Sequence, residues 1–312
     1  AADDLRRIAS VDCGSNTWAQ NFSYDAFGNI NKAGAGNATS YVAAYSAITN
    51  QVSGGPSYDS NGNQLNSTGL SSISWNAAGV PVSVTPLSGG AIGGTYDALG
   101  RLVETTSGAT TKQFVYGSAG EKVAIMQGGT LTKGTVPLPG GASALYNASS
   151  GPPIIRHKDW LVSSRLATTW AHAVQSKTSY GPFGETYNEA GTADRSFTGQ
   201  DQDTVTGSAA TGIYDYLFRK YDPAAGRWLS PDPYGWGAVG LDDPQSLNRS
   251  AYVENRPTDS IDPLGLTSIP CPNGPYTVSS DGTYIFNSCD NGQPSGPSSP
   301  PSSPPSPPPT CS

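Results

Sequence analysis

Charge is scarce in this chain. Only 13% of its 312 residues are Asp, Glu, Lys or Arg, about half the usual globular share. Acidic residues outnumber basic ones, 24 to 17, for a net charge of −7. No basic cluster interrupts that balance, which argues against nucleic acid as a partner. Histidine is nearly absent, and His157 and His172 have no Cys or acidic neighbour at ligand spacing. No metal and no cofactor is therefore expected. The four cysteines, Cys13, Cys271, Cys289 and Cys311, are too few to staple so long a chain. Cys271 and Cys289 either close one disulfide or stay free thiols. No apolar run approaches the roughly 18 residues of a membrane span. The chain starts at Ala1 without a signal peptide, as a mature product or a piece of a longer protein would. No nucleophile elbow or calcium loop is present.

Glycine, by contrast, is abundant at 38 residues, and the hydrophobic share is 36%. Together they make a normal globular interior. Much of the glycine sits in one recurring phrase: an aromatic, Asp or Asn, two loose residues, then Gly. It reads Tyr24-Asp25-Ala26-Phe27-Gly28, Tyr58-Asp59-Ser60-Asn61-Gly62 and Tyr96-Asp97-Ala98-Leu99-Gly100. Weaker copies begin at Trp75, Tyr116 and Tyr180. From Tyr58 to Tyr116 the copies lie 17, 21 and 20 residues apart, the period of a supersecondary repeat.

The physics of the phrase is a strand end. A large ring packs on a pleated surface, Asp or Asn bonds a backbone N–H two residues on, and Gly takes positive φ. Lys112–Tyr116 and Lys122–Met126 then read as a hairpin around Gly117–Glu121. One hairpin cannot bury its own face, so successive hairpins should pair into a long sheet. The expected fold is all-β, a run of antiparallel hairpins from about residue 20 to 230. Tyr24, Tyr58, Tyr96 and Tyr116 should stand at equivalent strand ends. The only helical expectation is one or two turns within Ser246–Val253, stopped by Pro257.

Composition divides the chain further. Residues 1–20 read as a remnant of the array, and 21–194 as the repeat segment. Residues 195–266 are dense in aromatics and Asp-Pro steps. Residues 267–292 hold one short hairpin signal, Tyr276–Val278 and Tyr284–Phe286 around Asp281-Gly282. Residues 293–312, with nine prolines, favour an extended tail without a core.

The 195–266 stretch carries a specific resemblance. Phe197-Thr198-Gly199-Gln200, Arg219-Lys220-Tyr221-Asp222-Pro223 through Gly226-Arg227-Trp228-Leu229-Ser230-Pro231-Asp232-Pro233, Ala251-Tyr252-Val253-Glu254-Asn255-Arg256-Pro257 and Asp262-Pro263-Leu264-Gly265-Leu266 together resemble the Rhs repeat-associated core domain. Arg156–Thr168 is similar to the strand pair that precedes it, and the turn phrases are similar to YD repeats. The first Asp-Pro motif departs from the family pattern, ending Gly235-Trp236, and a long spacer follows it.

The resemblance implies a β-shell like those of Rhs proteins, C subunits of insecticidal toxin complexes and teneurins, in which YD hairpins spiral around a hollow and the core domain plugs one end. It also implies an autoprotease. Asp232 and Asp262 would be its paired carboxylates, Arg219 the arginine beside them, and Leu266–Thr267 the bond cut. An aspartyl site needs its two carboxylates within about 3–6 Å, close enough to share a proton or bridge one water. Asp-Pro-x-Gly is equally good turn chemistry. The functional expectations are thus a secreted or cell-surface shell scaffold, a self-cleaving toxin-delivery fragment, or a glycan-binding surface module. Partners would be the chain's own C-terminal segment, another protein, or a cell-surface glycan.

Overall fold

The four repeat turns with Asp or Asn close on one hydrogen-bond pattern. In the computed structural model, Asp25, Asp59 and Asp97 each accept two backbone N–H bonds of 2.9 Å on Oδ1, from the second and fourth residues on. Oδ2 takes the side chain of that fourth residue: Asn29, Asn63 or Arg101. Asn76 makes the same two backbone bonds at 3.0 Å. The residue between must adopt a left-handed conformation, and Gly28, Gly62, Gly79 and Gly100 do so at φ 73–84°. The structure describes residues 1–14, 17–118, 120–148, 151–192, 194–202, 212–266, 268–270, 277–278 and 284–285.

Two further turns share this geometry without the phrase. Asp3 accepts from Leu5 and Arg7, with Arg6 at φ 63°. Asp159 accepts from Leu161 and Ser163, with Val162 at φ 68°. The weak copies at Tyr116 and Tyr180 have Gly where Asp belongs. There a carboxylate four residues on folds back into the empty space: a Cβ on Gly117 would lie 2.1 Å from Glu121, and one on Gly181 2.9 Å from Glu185.

The strands between these turns form β1 (Ser10–Asp12), β2 (Trp18–Tyr24) and β3 (Ile30–Gly36) in one small sheet, and β4 (Ala44–Tyr45) with β5 (Val52–Ser53) in another. A sequential antiparallel meander of twelve strands follows: β6 (Leu70–Trp75), β7 (Pro81–Pro86), β8 (Ile92–Tyr96), β9 (Leu102–Ser107), β10 (Thr110–Tyr116), β11 (Lys122–Gln127), β12 (Thr130–Pro137), β13 (Ser143–Asn147), β14 (Ile154–Lys158), β15 (Ser164–Thr169), β16 (Val174–Tyr180) and β17 (Thr186–Gly191). The register slips by one residue at Trp75, Tyr96, Tyr116, Lys158 and Tyr180, each at a strand end before a turn. A bulge at each such position bends its strand and adds twist.

Four of the repeat aromatics, together with Tyr45, also lock each repeat to the one before. Tyr24, Tyr45, Tyr96 and Tyr116 donate their hydroxyls to the carbonyls of Ile8, Ile30, Pro81 and Leu102, and Trp75 donates its indole N–H to Gln64, at 2.6–2.8 Å. In each case the acceptor is the residue that follows the preceding turn. Burial pushes the Tyr96 hydroxyl up to about 12, so it remains a donor at any physiological pH.

The all-β class holds, but the sheet is not one continuous run from 20 to 230. It breaks between β3 and β6, where only the short β4–β5 pair forms and Tyr58 makes an isolated bridge to Gln64. That segment packs against the C-terminal part: Asp222 accepts from Thr68 at 2.6 Å, and Arg227 donates to the Asn50 carbonyl at 2.8 Å. Those contacts compete with strand pairing. The meander ends at Gly191, and the rest forms short pairs: β18 (Ser196–Phe197) with β19 (Gln200–Asp201), β20 (Tyr214–Asp215) through β21 (Lys220–Asp222) to β22 (Arg227–Trp228), β23 (Ser260–Ile261) with β24 (Ile269–Pro270), and β25 (Thr277–Val278) with β26 (Tyr284–Ile285). The last pair lies within the expected short hairpin. Among the described residues helix is confined to four 3₁₀ turns, one at Pro244–Leu247, within two residues of the expected start.

The core is aromatic and lies under the C-terminal part. Phe22 and Ile30 from the first sheet and Tyr180 and Phe183 from the end of the meander pack on Phe197, Tyr214, Tyr216, Tyr221, Trp228 and Tyr252. Between Ile92 and Pro137 the meander buries only Leu102. Its middle strands are otherwise half-buried or exposed, and they meet the C-terminal part at points such as the Lys133 ion pairs with Asp194 and Asp201. Cys13 is disulfide-bonded; Cys271, Cys289, Cys311 and the Pro-rich tail lie outside the described residues. His157 sits in β14 with Nε2 3.0 Å from Thr168 Oγ1, and His172 in a turn at φ 65°. No metal-holding group occurs among the described residues.

Candidate active site

Three short elements converge on one guanidinium. The hairpin β21–β22 turns at Pro223–Gly226, with Gly226 at φ 66°. That places Arg219, just before β21, over the Trp228 ring of β22 at 4.0 Å. Chain leaving β22 reaches Asp232, whose N–H donates to the Arg249 carbonyl at 3.1 Å. Chain leaving β23 reaches Asp262.

Both aspartates do the turn work expected of Asp-Pro-x-Gly. Asp232 Oδ1 accepts from Tyr234 N–H at 2.9 Å. Asp262 Oδ1 accepts from Gly265 and Leu266 N–H at 2.8 and 2.9 Å. Each keeps its second oxygen for Arg219: Nη2 stands 2.9 Å from Asp232 Oδ2 and 3.0 Å from Asp262 Oδ2. Two oxygens held on one nitrogen fall inside the window of about 3–6 Å that a shared proton or bridging water needs. Turn geometry and carboxylate pairing are thus not rivals here.

Leu266 lies at the same place. Arg219 Nε donates to the Gly265 carbonyl, one residue before it. Gly265 is at φ 80°, and a Cβ there would press on Arg219 and Tyr216 at 3.3 Å. Asp232, Asp262, Arg219 and Leu266 line one small cleft. Thr267 lies outside the described residues.

Asp232 is 7% exposed, and burial pushes its carboxyl above the usual 3.8 against the pull of Arg219. Burial likewise lowers Arg219, with both carboxylates opposing. Both acids are anchored at both oxygens, and the raised Asp232 carboxyl holds its proton to a higher pH than a free aspartate.

In sequence, Phe197-Thr198-Gly199-Gln200 and Tyr252 carry no evident chemical role. The structure brings them to the back of Asp262. Gln200 Nε2 donates to the Pro263 carbonyl at 3.1 Å. Thr198, Tyr216 and Tyr252 form a closed triangle of hydroxyls at 2.5–3.2 Å.

With this geometry in hand, the relatives are informative. No family model matches the chain. Among solved structures, it superposes on a Tc holotoxin pore of Photorhabdus luminescens with a TM-score of 0.63 at 19% identity, covering 85% of this chain and 15% of that one. A TcdB2–TccC3 crystal structure without its hypervariable C-terminal region gives 0.63 at 20% identity with the same coverage. The chain has the fold of a Tc toxin shell. In sequence it is similar to toxin subunit YenC1 of Yersinia entomophaga, 26% identical across 85% of this chain and 31% of that subunit. Toxin subunit YenC2 of the same organism is 38% identical over 73 residues, 23% of this chain and 6% of that subunit. The chain thus spans under a third of the curated relatives it matches.

Proposed function

We propose that this chain is the closing end of a toxin-complex β-shell, and that its core cuts the chain once, after Leu266. The observation that carries the reading is the single nitrogen of Arg219 shared by two buried carboxylates beside Leu266. On this reading residues 195–266 are an Rhs-type core domain, and the segment from Thr267 on is the released part. The middle of the meander, with Leu102 its one buried side chain among the described residues, suits a thin wall. A secreted complex with protein partners is the natural setting.

The chemistry follows from the charges. Water adds to the Leu266 carbonyl carbon while one carboxylate of the pair takes its proton. The other donates a proton to the Thr267 nitrogen as the C–N bond breaks. The products are a Leu266 carboxylate and a Thr267 amine. Asp232, which burial makes a weaker acid than a free aspartate, suits the proton donor, and Arg219 keeps the pair from carrying two uncompensated charges. The Gly265 carbonyl bond to Arg219 and the Leu266 N–H bond to Asp262 hold the chain for attack.

The test is cleavage in ¹⁸O-labelled water. Hydrolysis places one label in the new Leu266 carboxyl group and gives a fragment beginning at Thr267. A chain that stays whole, or a cut elsewhere, removes the protease and leaves the scaffold alone.

A further inference from the structure

The second motif aspartate is held from behind by side chains that take no part in the proposed proton transfers. Gln200 Nε2 donates to the Pro263 carbonyl at 3.1 Å, fixing the carbonyl of the residue that follows Asp262. Tyr252 is fully buried, with its hydroxyl beside the Asp262 backbone. Its hydroxyl lies 3.2 Å from Thr198 Oγ1 and 3.2 Å from the Tyr216 hydroxyl, so its direction is set by two partners. The backbone carrying these groups is strained: Thr198 is at φ 46°, and Val253, next to Tyr252, at φ 41°. For β-branched residues such angles are outliers that persist only where the surroundings impose them.

We propose that Gln200 and Tyr252 are positioning residues that fix the Asp262–Pro263 backbone, and through it the Asp262 carboxylate, against Arg219 and Leu266. This rests on the autoprotease reading above. The paired carboxylates tolerate little displacement, since an error near 1 Å costs on the order of 10²-fold in rate. Backbone held on both sides of the Asp262 side chain supplies that precision. Gln200 is well suited because it supplies an N–H to a carbonyl that has nothing to lose by titration.

The experiment follows cutting of the freshly synthesised full-length chain between pH 4 and 8, in the wild type, Gln200→Glu and Tyr252→Phe. Circular dichroism checks that each is folded at each pH. Gln200→Glu replaces the donor with a carboxylate that repels the Pro263 carbonyl above a pH of about 4.3 and donates to it when protonated. The ratio of variant to wild-type rate should fall about 10²-fold at pH 7 and climb back toward one as the pH approaches 4. Tyr252→Phe keeps the ring and loses only the hydroxyl; it should slow cutting about tenfold at every pH. A wild type that cuts while both folded variants match its rate throughout overturns the positioning role alone. A wild type that never cuts overturns the autoprotease and the positioning role together.

Discussion

A carboxylate in this protein serves the backbone first and a charge second. Asp25, Asp59 and Asp97 spend Oδ1 on two N–H groups and Oδ2 on a local side chain. Asp262 also spends Oδ1 on two N–H groups and Asp232 spends it on one, but both turn Oδ2 to Arg219. That difference of one acceptor separates a turn from a candidate catalytic pair. It has a stability consequence. Because burial raises the Asp232 carboxyl above 3.8, the unfolded chain loses its proton first as pH rises. Any stability Asp232 supplies is present below 3.8 and is lost as pH climbs through its folded value. Asp232→Asn, which keeps the acceptor for Tyr234, should therefore leave the urea midpoint at pH 7 unchanged or raised. A clear fall would contradict it. Asp201 has the opposite sign. Burial works against its charge, but Lys133 and Arg156 outweigh that and hold its carboxyl far below 3.8. Its contribution is present above 3.8 and is lost as pH falls through the folded value. Urea midpoints measured below pH 4 should thus drop more steeply for the wild type than for Asp201→Asn.

At the scale of the element, the turn phrase was legible because its parts are local. Asp, the left-handed Gly and the strand-ending ring sit within five residues, so Tyr24, Tyr96 and Tyr116 could be placed before the fold was seen. The turns at Asp3 and Asp159 escaped because Arg6 and Val162 occupy the glycine position. Exposed Arg6 has no packing that requires its left-handed backbone. Arg6→Gly should stabilise the chain by about 1 kcal/mol in urea unfolding; a destabilised variant would mean that the Arg6 side chain contributes more than the strain it carries. The break between β3 and β6 was not legible, since it depends on contacts such as Thr68 with Asp222, 154 residues away. Nor was the bond from each aromatic to the repeat before it. Tyr96→Phe removes only the hydroxyl on the Pro81 carbonyl, leaving a buried acceptor without its donor. It should cost about 1 kcal/mol, read as a lower melting temperature with the sheet signal intact.

The whole molecule is joined by long-range contacts of the same kind. Lys32 of β3, fully buried, reaches Glu185 at the end of the meander and the Pro223 carbonyl of the C-terminal part at 2.5 and 2.6 Å. Its ammonium lies over the Phe183 ring. Lys32→Met strands a buried carboxylate and should cost about 3–5 kcal/mol, most of it recovered in Lys32→Met/Glu185→Leu. Urea unfolding of both variants decides whether charge pairing or mere packing joins the three parts. The site depends on that assembly, because Arg219, Asp232 and Asp262 come from segments 43 residues apart at their extremes. Their types were legible as motifs, and their meeting on one nitrogen was not. The intact mass of the purified wild type beside Asp232→Asn tests the central claim most directly. The account predicts a wild type split between Leu266 and Thr267, and an uncut Asp232→Asn chain with the same β-sheet spectrum. A wild type that stays whole, or an Asp232→Asn chain cut at the same bond, would contradict it.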